Sequence, residues 1–204
     1  MATFLLIRHG ENDFVKKGKL AGRLPGVHLN ETGRQQAQRL AEHLAHVPLK
    51  AIYASPLERA IETAGPLAYK LGLEIQIRPG LLETEMGAWT DQPLKVLRRT
   101  RDWKTVQLAP SRFRFPEGES FAESQQRIIS ELEALCALHT AREVVACVSH
   151  SDPIKLAVAY FIGLPLDAFQ RLHVSTASIT ALALGESSSH LVMLNSVTTE
   201  HWKV

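Results

Sequence analysis

The chain has 204 residues, which suits one domain or one domain with a sizeable insertion. Hydrophobic residues make up 45% and charged residues 22%, ordinary globular values that exclude a disordered chain. A formal net charge of +2 gives no general attraction to nucleic acid or to a membrane surface.

The two cysteines, Cys136 and Cys147, lie in apolar runs without metal-ligand spacing. They read as small buried residues in a reducing compartment. The opening apolar run has no basic segment before it and is too short to span a bilayer. The expectation is a soluble, cytoplasmic protein.

Phe4-Leu5-Leu6-Ile7 reads as a buried strand, ending in the polar run Arg8-His9-Gly10-Glu11-Asn12. After a loop, Asn30 and Thr32 are candidate N-caps of a helix reaching about His46, with Ala37, Leu40, Ala41 and Leu44 at helical spacing. Lys50 to Ala54 is a second strand. Ser55 and Pro56 open the next helix, which carries Leu57, Ile61, Ala64 and Leu67 and ends near Gly72. Glu74 to Ile77 alternates as a third strand.

From Leu81 to about Glu119 the chain is irregular and partly helical, with Trp89, Pro93, Trp103, Pro110 and Pro116. Ser120 and Glu123 form a capping box before Ile128, Ile129, Leu132 and Leu135. Val144 to Val148 is a fully apolar strand that ends in Ser149-His150-Ser151-Asp152. Pro153 opens a helix through Leu156, Ala157, Tyr160 and Phe161. Ser178 to Leu184 and Leu191 to Val197 close the pattern as strands. The alternation predicts a three-layer α/β/α sandwich with a mainly parallel sheet, free of internal repeats and linkers. In such sheets ligands sit beyond the carboxyl ends of the strands, and two strands here each deliver a histidine to that edge.

Four groups of residues can carry chemistry. Arg8-His9-Gly10 offers a planar fork of donors for phosphate, an imidazole able to attack phosphorus, and a sharp turn. Arg59, in Ser55-Pro56-Leu57-Glu58-Arg59-Ala60, sits in the first turn of a helix, where anions are favoured. His150 can hold a phosphoryl oxygen, and Glu83 can protonate a leaving oxygen. Each group alone reads equally as a salt bridge, a cap or a solvated side chain. Together they form the parts list of phosphoryl transfer through a covalent intermediate. Neither a Walker loop nor a His-Glu-x-x-His or Cys-x-x-Cys zinc pattern is present.

Arg8-His9-Gly10-Glu11, Ser55 to Ala60 with Thr63-Ala64, Leu82-Glu83 through Gly87-x-Trp89, and Val148-Ser149-His150 resemble the ordered motifs of the histidine phosphatase superfamily. This is the group that includes cofactor-dependent phosphoglycerate mutases, and the likeness extends to a subgroup named as probable phosphomutases. Gly33-x-x-Gln36-Ala37 and Pro116-x-Gly118-Glu119-Ser120 resemble its connecting segments, so the likeness covers nearly the whole chain.

The resemblance implies a phosphoglycerate mutase-like fold and a phosphohistidine on His9. It implies a phosphate pocket of Arg8, Arg59 and His150, with Glu83 as proton donor and then water activator. It implies neither metal nor cofactor. Asn12, Val15, Ser151 and Trp89-Thr90-Asp91 depart from the pattern. Asn12 stands as a substitute amide donor, with Arg23 and Ser151 as further substrate contacts.

The first expectation is a phosphatase of one domain spanning 1–204, with a lid-like excursion at about 88–119. Its arginines read either as a selector for a second anionic group or as a solvated face. A phosphoglycerate mutase-type phosphomutase, a phosphate-binding protein without turnover and a metal hydrolase are the alternatives. The expected partner is a small phosphorylated metabolite, with no nucleic acid, no membrane, and a homodimer left open.

Overall fold

The computed structural model describes residues 1–197. Six strands, β1 (Ala2–Arg8), β2 (Leu49–Ala54), β3 (Ile75–Ile77), β4 (Val144–Ser149), β5 (Ile179–Leu184) and β6 (Ser189–Ser196), form one sheet in the order β3-β2-β4-β1-β5-β6. β1 to β4 run parallel, and β5 is antiparallel to both of its neighbours. The sheet is therefore mainly parallel, as the alternating pattern predicts.

The helices are α1 (Asp13–Lys17), α2 (Glu31–His43), α3 (Glu58–Leu71), α4 (Leu94–Leu97), α5 (Arg101–Leu108), α6 (Phe121–Cys136) and α7 (Ser151–Phe161). Leu5 and Ile7 of β1 pack with Leu40, Ala64 and Leu67 of α2 and α3. Phe4 and Leu6 pack on the opposite side with Ile128 and Leu132 of α6 and Ile154 and Leu156 of α7. Both faces of β1 are covered, which is why its sequence is a continuous apolar run rather than an alternation.

Local chemistry sets the helix boundaries. Asn30 caps α2 by accepting from the Gly33 N–H at 2.9 Å. Ser120 and Glu123 make both bonds of the predicted capping box on α6. Two differences from the sequence expectation bear on the site. Residues 13–17, read as loop, are a short helix capped by the Asn12 side chain, which accepts from the Val15 N–H at 2.9 Å. Helix α3 begins at Glu58 rather than at Ser55-Pro56, because Ser55 is fully buried and its hydroxyl is 2.8 Å from His150 Nε2.

Candidate active site

β1 and β4 are neighbours, with Arg8 opposite Ser149, so the residue after each strand emerges beside the other. Those residues are His9 and His150. Their ring centroids are 5.2 Å apart, and their relative exposures are 4% and 0%.

The exit of β1 is held tightly. The Gly10 N–H donates to Thr63 Oγ1 at 2.9 Å, and that hydroxyl donates to the Arg59 carbonyl at 2.6 Å. Gly10 and Gly33 allow the turn to pack on α2: a Cβ on Gly10 would lie 2.7 Å from the Gly33 oxygen, and one on Gly33 would lie 2.0 Å from the Glu11 oxygen. Gln36 accepts from the Glu11 N–H at 2.8 Å. The Gly33-x-x-Gln36 segment thus fixes the loop that carries His9.

His9 Nδ1 lies 2.7 Å from the Gly10 carbonyl oxygen. A carbonyl only accepts, so Nδ1 carries the proton and the ring's lone pair lies on Nε2. Burial, then the Arg59 and Arg8 guanidiniums, hold His9 well below the ordinary histidine range, so the ring is neutral. Burial, followed by Arg59, lowers His150 in the same way. Ser55 Oγ lies 3.4 Å from the Leu57 N–H and accepts from it, leaving its own proton for His150 Nε2. His150 Nδ1 then carries a hydrogen.

The remaining donors are unusual in what they lack. Among the described residues, Arg8 Nε, Asn12 Nδ2, Arg59 Nε, Arg59 Nη1 and His150 Nδ1 are buried nitrogens without a hydrogen-bond partner. Buried polar groups are otherwise nearly always paired. The other ends of these side chains are anchored: Arg8 Nη1 donates to the Val174 carbonyl at 2.7 Å, and Arg59 Nη2 to that of Gly22 at 2.7 Å. Asn12 has committed its oxygen to capping α1, so only its amide N–H₂ is spare.

Arg8, His9, Asn12, Arg59, Glu83 and Ser151 line one cavity of about 220 Å³, and His150 stands directly against His9. Ser151 enters from the first turn of α7, at the end where helix N–H groups favour anions. Glu83 is 8% exposed. Burial first, then the charge of Asp152, push its carboxyl up to about 7, against the opposing pull of Arg59. Its Oε1 accepts from the Thr84 N–H at 2.9 Å, which fixes the carboxyl's direction.

The loop that carries Glu83 is strapped from below. Arg127 donates to the carbonyls of Gly80, Leu82 and Glu83 at 3.0, 2.8 and 3.3 Å. Arg23 Nε donates to the Glu83 carbonyl at 2.7 Å. Both guanidiniums also bond the Glu119 carboxylate, which accepts the Glu85 N–H as well. Gly87 and Gly118 let the two segments close up: a Cβ at Gly87 would meet the Pro116 oxygen at 2.0 Å.

The sequence-based set is thus brought together with one reassignment. Arg23, expected at the substrate, has its guanidinium committed to Glu83, Glu85 and Glu119 and does not line the cavity. Val15, which replaces an expected asparagine, gives the cavity an apolar wall. Asp91, another departure, has φ 64° and pairs with Lys19 at 2.5 Å. Asp152 and Arg127 escaped the sequence reading. Asp152 is adjacent to the Ser149-His150-Ser151 run, a signal that could have found it. Arg127 sits mid-helix and gives no local sign.

This arrangement is a neutral imidazole with a free ring nitrogen, a set of unpartnered buried donors and a carboxyl group lining the same cavity. The chain belongs to the histidine phosphatase superfamily (branch 1), whose profile matches residues 4–197. It is similar to phosphoserine phosphatase 1 of Hydrogenobacter thermophilus, at 28% identity over 96% of this chain and 92% of that one. It is also similar to the 2,3-bisphosphoglycerate-dependent phosphoglycerate mutase of Thermoplasma acidophilum, at 28% identity over 89% and 87%. Among solved structures, Bacillus stearothermophilus YhfR superimposes with a TM-score of 0.89, at 28% identity over 97% of this chain and 98% of that one.

Proposed function

We propose that this chain is a single-domain, metal-independent phosphomonoester hydrolase that works through a phosphohistidine on His9. The observation that supports it most is the set of unpartnered buried donors on Arg8, Asn12, Arg59 and His150 gathered around the free lone pair of His9. A tetrahedral dianion supplies acceptors for such donors, and the two guanidiniums supply compensating charge.

His9 Nε2 attacks phosphorus as the bond to the ester oxygen breaks. Glu83, whose carboxyl is raised to about 7 and so keeps a substantial protonated fraction near neutral pH, delivers its proton to that oxygen and the alcohol leaves. The Glu83 carboxylate then takes a proton from water as the water oxygen attacks phosphorus. The phosphorus–nitrogen bond breaks, orthophosphate departs, and His9 and the acid are restored. Excursion 88–119 serves as the wall on the leaving-group side, through Trp89, Leu94, Trp103 and Val106.

Release of phosphate from p-nitrophenyl phosphate in excess chelator tests the reading. Turnover that vanadate inhibits supports it, and loss of turnover in chelator rejects metal independence. His9→Ala should lose turnover by at least about 10³-fold and form no phosphoprotein, with an unchanged circular dichroism spectrum. Wild-type rates in that variant would remove His9 as nucleophile.

A further inference from the structure

Much of the cavity's lining is apolar. Phe14, Val15, Leu20, Leu94, Trp103 and Val106 belong to it. Of these, Phe14, Val15, Leu20, Leu94 and Trp103 are only half-buried. Trp103 lies nearly flat against Trp89, with ring centroids 6.3 Å apart and planes 19° apart. This fixes a broad aromatic surface at the cavity's side.

Among the described residues, the lining offers no uncommitted cation besides Arg8 and Arg59 for a second anionic group. Arg98, Arg99, Arg101, Lys104, Arg112 and Arg114 of the excursion are all exposed, and none lines the cavity. Arg23 is committed to two carboxylates, Glu85 and Glu119, and to the Glu83 carbonyl. Lys19 does line the cavity, but its Nζ is 2.5 Å from Asp91 and 5.6 Å from the Phe14 ring centroid. Apart from Arg8, His9 and Arg59 at the proposed phosphate site and the paired Lys19, the other charged or titratable groups in the lining are the carboxyls of Glu83 and Asp152, which offer no positive charge to a second anion.

We infer that the alcohol half of the substrate is a flat, uncharged apolar group, and that phosphomonoesters with a second anionic group are poor substrates. The inference rests on the hydrolase reading above. A carboxylate placed here would lose water against apolar walls without gaining a free cation, whereas an aromatic ring would exchange water for Trp103 and its neighbours.

The experiment compares kcat/KM for benzyl phosphate, ethyl phosphate, O-phosphoserine and 3-phosphoglycerate, with chelator present. All four release an alkyl alcohol, so differences in leaving-group acidity stay small. Benzyl phosphate should exceed each of the others by at least about tenfold. Trp103→Ala should shrink the ratio of benzyl to ethyl phosphate. Inhibition of p-nitrophenyl phosphate hydrolysis asks the same question of the unaltered protein, and benzylphosphonate should inhibit at lower concentration than phosphonoacetate. O-phosphoserine or 3-phosphoglycerate matching benzyl phosphate would overturn the inference while leaving the hydrolase reading standing. Absence of turnover with every ester, p-nitrophenyl phosphate included, would sink both.

Discussion

Glu83 is a carboxyl placed where its charge is disfavoured. Burial and the neighbouring Asp152 move it from about 4.3 in an exposed glutamate to about 7. A group whose folded pKa lies above its unfolded one is bound to its proton more strongly in the folded state. The folded state is therefore penalised progressively as pH rises from about 4.3 to about 7, and the penalty is complete above that range. Glu83→Gln should leave Tm nearly unchanged at pH 4 and raise it at pH 8, as thermal unfolding in two buffers would show.

The same variant should slow hydrolysis of alkyl phosphates far more than that of p-nitrophenyl phosphate, whose leaving group needs little protonation. Equal losses on the two esters would contradict the acid role. Asp152 adds a second, signed expectation. It raises Glu83, so Asp152→Asn should lower that pKa and move the basic limb of the kcat/KM profile toward acid. A limb that stays in place would show that another group sets it.

At the scale of elements, the acid's position depends on segments far apart in sequence. The loop from Gly80 to Glu85 is strapped by Arg127 of α6, by Arg23 of the loop after α1, and by Glu119 between them. Burial pushes Glu119 up, but the Arg127 hydrogen bond and charge more than offset this and hold it below the usual carboxylate range. Glu119→Gln removes the charge shared by two half-buried guanidiniums, so urea denaturation should show a loss of about 2 kcal/mol. It should also depress turnover of alkyl phosphates, because the loop under Glu83 loses its strap.

Little of this network is legible in the sequence. Pro116-x-Gly118-Glu119-Ser120 stands out as a motif, and its capping box can be read from local spacing. The bond from Arg127 to the Glu83 carbonyl spans 44 residues, and no periodicity encodes it. Asn12 shows the same limit from the other direction. Its amide can be suspected as a donor from its place after the first motif. That its oxygen is consumed as a helix cap, leaving the nitrogen spare, follows only from the short α1 that looked like loop.

At the scale of the molecule, the order of strands brings His9 and His150 to one point. Apolar runs identify β1 and β4 as interior strands, and each ends visibly in a histidine. Their adjacency comes from the crossover of chain that sets β4 between β2 and β1. The same edge receives the 88–119 excursion, whose arginines are exposed and whose Trp89, Leu94, Trp103 and Val106 line the cavity, while Val96 and Leu108 stay exposed. Charge counting along the sequence could not separate these two faces, since the helices involved are only four and eight residues long.

That wall bears on the choice between hydrolase and mutase. A mutase must hold a second phosphorylated or carboxylated acceptor against its phosphohistidine and keep water away. Among the described residues, the cavity's lining offers no uncommitted cation besides Arg8 and Arg59, which the proposed phosphate site uses, and this supports water as the acceptor in the reading proposed above. A single-turnover experiment separates the two cases. Enzyme labelled on His9 from a phosphate donor is chased with buffer alone or with 3-phosphoglycerate, and the label is followed. The label should appear as orthophosphate at the same rate in both chases. Faster loss with 3-phosphoglycerate, and label recovered in a phosphoglycerate, would make the chain a mutase with an acceptor site that these walls do not reveal.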